Sequence, residues 1–241
     1  MAIIASSAGS STPRTPIAQG AYPARCYSII DLGTREEVIL GNKKVVHKVR
    51  ITFELPTETR VFSEEKGEQP CVISKEFSLS LNEKSTLRAF LKSWRGKDFT
   101  EQEAQAFDIS RLIGVPCLLN IIHVAGKQNP SRMYDEIGSI MPLPKGMTCP
   151  DQVNPSFEFS IAEWDDEKFA SMPTFLREKV ASSNEYIALV AAGKAKASAP
   201  APVAAPAPAP APVKQPVKTA AAPPPPPLDL DLSGDADELP F

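Results

Sequence analysis

The sequence predicts a mainly β protein built on a small five-stranded antiparallel barrel, and three observations predict it. Apolar and polar residues alternate over residues 45–55 and again over 71–81, the period of a half-buried strand. A run at helical spacing follows at 87–94, and two more strand-like runs follow that, at 116–125 and 133–141. Composition confines this fold to part of the chain. Residues 193–227 are nearly all Ala and Pro, too poor in large apolar side chains to anchor a core. Four segments result: a disordered N-terminal arm over 1–20, one globular domain over 21–190, a disordered Ala/Pro linker over 191–227 and an acidic tip over 228–241.

The elements follow in order. Residues 22–32 alternate loosely and end on Asp31-Leu32-Gly33-Thr34, a turn signal that closes a first strand. In the second strand Val45, His47, Val49, Ile51 and Phe53 share one face, while Lys44, Lys48, Arg50, Thr52 and Glu54 share the other. The third has Ile73, Phe77, Leu79 and Leu81 on one side. Asn82 then reads as the cap of a helix whose stripe is Leu87, Phe90, Leu91 and Trp94 and which ends at Gly96. Thr100 with Glu103 forms a capping-box signature for a second short helix. Strands four and five come next. Beyond Pro150, residues 157–159 read as an added edge strand and residues around 174–180 as a helix packed on the barrel. Three strands, a helical insertion and two strands is the element order of the OB fold, an order that another small antiparallel barrel or sheet also fits.

Charge divides as composition does. Residues 228–241 carry five acidic and no basic residues, and 191–227 carry four lysines and no acid. The body is close to neutral, so attraction to a polyanion has to come from a local surface. Cys26, Cys71, Cys117 and Cys149 form no C-x-x-C pair and read as buried free thiols; neither they nor His47 and His123 have metal-ligand spacing. No metal and no cofactor is expected. Glycine-rich phosphate loops and nucleophile–base patterns are missing, and Asp165-Asp166-Glu167 reads as the first turn of a helix. The chain therefore reads as a non-enzyme. With no basic leader and no run near the ~20 apolar residues of a membrane span, the expected location is the cytoplasm.

A surface that binds a single nucleic-acid strand needs cations along the phosphates and aromatic faces for the bases. Arg25, Tyr27, Lys48 and Arg50 fall on the outer faces of the first two strands, with Lys43 and Lys44 in the loop between them; Lys75, Arg132 and Tyr134 join this DNA-binding set. Trp94, beside Arg95 and Lys97, completes its helical stripe and reads as core. At the free end, the acids Asp235, Asp237 and Glu238 suit a basic rim, and Leu239, Pro240 and Phe241 suit a small apolar pocket on a partner protein.

Asp237-Glu238-Leu239-Pro240-Phe241 resembles the D-D-D-I-P-F ending of bacterial single-stranded-DNA-binding proteins, with Ala236 interrupting the acids. The block Leu87-Arg88-Ala89-Phe90-Leu91-Lys92-Ser93-Trp94-Arg95-Gly96-Lys97-Asp98-Phe99, with Gly114-Val115-Pro116-Cys117-Leu118-Leu119-Asn120, looks like that of small bacteriophage single-strand binders of the OB fold. The resemblance implies a protein that coats single strands in the host cytoplasm during replication, recombination or repair. It implies partner enzymes recruited through the tip, and it leaves a homo-oligomer open. An OB-fold adaptor that binds other replication proteins, with little DNA affinity of its own, is the alternative.

Overall fold

Long strands first set the architecture. In the computed structural model, which describes residues 15–39, 41–63, 67–126 and 129–194, β1 (Gly20–Ile39), β2 (Asn42–Ser63) and β3 (Gly67–Ser78) run antiparallel, as do β4 (Pro116–Ala125) and β5 (Met133–Met141). The two groups meet on β1, giving the order β3-β2-β1-β4-β5. One strand thus serves two neighbours: residues 20–25 pair with β4, and residues 25–39 pair with β2. The register slips between Cys26 and Ser28 and again between Asp31 and Gly33. Each such bulge bends the strand and adds twist, and the sheet curls into a half-barrel of the expected OB type. Its two end strands, β3 and β5, meet across a seam where Lys75 Nζ donates to the Ile137 carbonyl at 2.9 Å and lies 3.2 Å from Glu136.

The insertion between β3 and β4 fills the inner face. Helix α1 (Thr86–Arg95) is capped by Ser85, whose hydroxyl accepts from the Arg88 N–H, and stops at Gly96 in the left-handed region with φ 71°. The cap is Ser85 and not Asn82, because residues 82–84 form a turn before the helix. The stripe Leu87, Leu91 and Trp94 is buried against Ile51, Phe53, Phe77, Leu119 and Ile137. Phe53 lies 5.3 Å from Trp94 and Phe77 4.7 Å from Phe90, centroid to centroid, and the Trp94 indole N–H donates to the Pro116 carbonyl at 3.2 Å. Trp94 is core. Helix α2 (Glu101–Gln105) carries the reciprocal capping box of Thr100 and Glu103, and a 3-10 turn spans Ile109–Leu112. Cys26, Cys71 and Cys117 are buried and Cys149 is partly buried, and none of the four is in a disulfide; burial pushes the Cys26 thiol up to about 12.

One stretch departs from the expected layout. Residues 15–20 belong to the fold: Ile17 is fully buried, its N–H donates to the Asp135 carboxylate at 3.1 Å, and its carbonyl lies 2.7 Å from His123 Nε2. An isolated Ile in a Ser/Pro/Thr-rich run gives no periodic signal, so this anchor was not legible. The segment after Pro150 supplies the added strand and the packed helix expected of it, and with two further helices it builds another core on the outer face of the sheet. After the bulge at residues 26–28, Ile30 and Leu32 point outward. They are covered by Phe159 of β6 (Phe157–Phe159), which adds parallel to β1, and by Phe169, Met172, Leu176, Val180 and Tyr186. Apart from Met172, which follows the first of them, these come from α3 (Asp166–Ser171), α4 (Thr174–Ala181) and α5 (Asn184–Ala191). Asp165 caps α3 through the Glu167 and Lys168 N–H groups, the helix-start role read for this acidic run.

Candidate nucleic-acid interface

The outer face of the sheet carries Arg25 and Tyr27 from β1, Lys48, Arg50, Thr52 and Glu54 from β2, and Val72, Ser74 and Glu76 from β3, because their neighbours Cys26, Val49, Ile51, Phe53, Ile73 and Phe77 turn into the core. The segment after Pro150 roofs part of this face. Glu54, fully buried, accepts from the Val153 N–H at 2.8 Å, the Asn154 N–H at 2.9 Å and the Asn154 side-chain amide at 2.7 Å. Arg25 donates to the Gly114, Cys149 and Pro150 carbonyls. Both residues tie the approach to the roof onto the strands.

Farther along the face the charges collect. Arg50 is 2.9 Å from Glu76, its guanidinium also bonds Ser74, and it lies 5.5 Å from the Phe175 ring of α4. Lys179, one turn after Phe175, bonds Glu76 as well, and Arg35 is 3.8 Å away. Lys48 pairs with Glu37 at 2.9 Å, and Arg35 is 3.3 Å from the same carboxylate. Burial alone would raise the Glu76 carboxyl, but hydrogen bonds and charge from Lys179 and Arg50 outweigh it and hold it below the ordinary carboxylate range. Four cations, Arg35, Lys48, Arg50 and Lys179, therefore share two carboxylates. The excess is positive.

Two cavities open on this face. One, of about 490 Å³, lies between sheet and roof and is lined by Tyr27, Arg50 and Thr52 below and Phe157, Met172 and Phe175 above. The other, of about 290 Å³, occupies the seam between β3 and β5 and is lined by Arg132, Met133, Tyr134 and Asp135. Val72 and Ser74 line both, so the two adjoin at β3 as lobes of a shared depression. At the seam, the Arg132 guanidinium sits 5.2 Å from the Tyr134 ring. That ring is packed over Gly126, where an added Cβ would come within 2.6 Å of it.

The sequence-derived set is thus divided. Tyr27 and Arg50 line one lobe, Arg132 and Tyr134 the other. Lys75 lies opposite Ile51 and so on the core side of β3, bridging the seam. Lys43 and Lys44 are exposed at the start of β2, with Lys43 3.6 Å from Glu36. Arg35, Phe157, Phe175 and Lys179 were missed; Phe175 and Lys179, four apart, gave a weak signal of a shared helix face. The tip residues Asp235, Asp237, Glu238, Leu239, Pro240 and Phe241 lie outside the described residues.

Among the described residues no group of three or more His, Cys, Asp and Glu side chains is placed to hold a metal ion, and no helix is long and apolar enough to cross a membrane. No family model, no curated protein and no solved structure matches the chain.

Proposed function

We propose that this protein is a non-enzymatic binder of single-stranded DNA that coats and protects exposed strands during replication, recombination or repair, and that it recruits partner enzymes through its acidic C-terminal tip. The observation that carries the reading is the groove across the outer face of an OB-type sheet, where cations outnumber carboxylates and aromatic rings lie at both ends. Phosphates and bases ask for that combination. The likeness of residues 237–241 to the bacterial tip supports the recruiting role, and the likeness of residues 87–120 to phage proteins supports a setting in the cytoplasm of an infected bacterium.

Titration of labelled oligo-dT and of a duplex of equal length over a salt series tests it. Single strands should bind more tightly, and Arg132→Ala with Tyr134→Ala should lower the affinity about tenfold or more, since stacking alone contributes ~1–3 kcal/mol per base. Equal affinity for both forms, or none at low salt, overturns the reading. Removing Phe241 should abolish partner recruitment and leave DNA binding intact. The adaptor reading draws on one observation, that Lys48 and Arg50 are both paired within the fold. It requires Lys48→Ala and Arg50→Ala to leave any DNA affinity unchanged.

A further inference from the structure

We infer that the lobe beneath α4 is a nucleotide subsite, in which one base of a bound strand enters between Tyr27 of β1 and Phe175 of α4 while its phosphate lies at the Arg35–Arg50–Lys179 cluster. This rests on the single-strand reading and goes beyond it, because the segment after Pro150 becomes half of the site instead of a brace behind it. Volume is the first support. About 490 Å³ falls within the roughly 300–1,000 Å³ of pockets that enclose small organic ligands. The second support is Phe175. Its helix neighbours Leu176 and Val180 are buried in the outer core, yet Phe175 is 49% exposed at the rim of the cavity, one ring face toward Arg50. An aromatic ring held beside a guanidinium at the mouth of an apolar cavity is a stacking platform with a phosphate-binding group next to it.

Charge is the third. Glu37 and Glu76 cannot neutralise Arg35, Lys48, Arg50 and Lys179 together, so an incoming phosphate completes the cluster instead of competing with it. The polar part of the lining is varied: Ser28, Thr52, Ser74 and Asn154. Short hydroxyl and amide groups of this kind can satisfy the edge of any base, which suits a site without sequence preference. The shared lining at Val72 and Ser74 then leads the strand from this lobe across β3 to Tyr134.

The test uses the full chain and a dT oligomer carrying 5-iodouracil. Irradiation of the wild-type complex should cross-link the peptides that contain Tyr27 or Phe175, and Phe175→Ala should weaken binding about five- to tenfold at every salt concentration, leaving the slope against log salt unchanged because no cation is removed. Phe175→Leu, which keeps the apolar wall but not the ring, should lose most of the same affinity; it decides the matter if the alanine variant fails to melt cooperatively near the wild-type midpoint. Tight binding with cross-links confined to the Tyr134 region, and both Phe175 variants within twofold of wild type, overturns the subsite while leaving the single-strand reading standing. No binding by the wild-type chain overturns both.

Discussion

Glu54→Ala should loosen the roof and destabilise the whole domain, by an amount that can be worked from three bonds. Glu54 Oε1 accepts from the Val153 N–H and Oε2 from both the backbone and side-chain N–H groups of Asn154. Hydrogen bonds to a charged group contribute ~1.5–3 kcal/mol each, but bonds that share one acceptor do not add fully, and an N–H near the surface regains water when its partner goes, so about 3 kcal/mol is expected for the set. For a domain of this size that corresponds to a fall of roughly 6–12 °C in melting temperature. Glu54→Gln separates geometry from mere bulk. Its amide oxygen can replace Oε2 and keep both Asn154 bonds, whereas its NH2 group meets the Val153 N–H donor to donor. The glutamine variant should therefore lose about half as much, ~3–6 °C. Thermal melts of the three proteins, with amide exchange followed at Val153 and Asn154, check this. A drop below ~2 °C for the alanine variant, or equal drops for the two, would refute the assignment of Glu54 as the tie between sheet and roof.

Three further outcomes follow. Gly33→Ala should cost about 2–4 kcal/mol, since Gly33 has φ 70° and an added Cβ would come within 2.4 Å of the Ser183 Cβ; urea unfolding reads the loss, and Ser183→Gly in the same chain should recover part of it. Trp94→Ala should cost about 3–5 kcal/mol by emptying the space beside Phe53 of β2 and Phe90 of its own helix, read in the same way. His47 lies 2.6 Å from Asp31 and 4.0 Å from Glu185, and the bond to Asp31 raises its pKa above 6.5. Burial would raise Asp31, but its bonds from His47 and the Gly33 N–H hold it below 3.8. The His47 contribution is complete below its unfolded pKa and disappears as pH rises through the raised folded value, while that of Asp31 is present above 3.8 and disappears as pH falls through the lowered one. Melting temperature should thus decline from about pH 6 to about pH 8 in the native chain and stay flatter in His47→Gln.

What could be read in the sequence depended on how local its cause was. β4 and β5 follow from period and from turn residues at their ends, and Gly96 and the Thr100–Glu103 box stop and start helices by their own chemistry. β1 and β2 run well past the alternating runs because their ladder continues as a hairpin beyond the core. Val45 keeps the phase of Val49 and Ile51 yet stays exposed there. The run Ile29-Ile30-Asp31-Leu32 could not be assigned to a face, since a bulge resets the phase and both faces are covered: Ile29 inside, Ile30 and Leu32 under the helices. The site was legible by residue type more than by place. Tyr27, Arg50, Arg132 and Tyr134 line its lobes, whereas the bonds of Arg25 and Glu54 reach about a hundred residues along the chain, a separation no local pattern encodes.

The seam between β3 and β5 has a mechanical consequence. A sheet that closes on itself spreads any deformation around a ring of hydrogen bonds, and parting it anywhere breaks a ladder. This sheet is slit, and Lys75 acts across the slit as a flexible strut, its four-carbon stem lying on one strand and its head on the other. The two lips can separate with every strand keeping its existing neighbour; what must give is the Lys75 bonds and the strap of residues 15–17, which bonds Arg60 on one side and Asp135 on the other. One edge of the groove is therefore held by side chains and a short strap alone, and the other is clamped by the buried Glu54, so an occupant of varying width would be accommodated by the seam, with the roof held still.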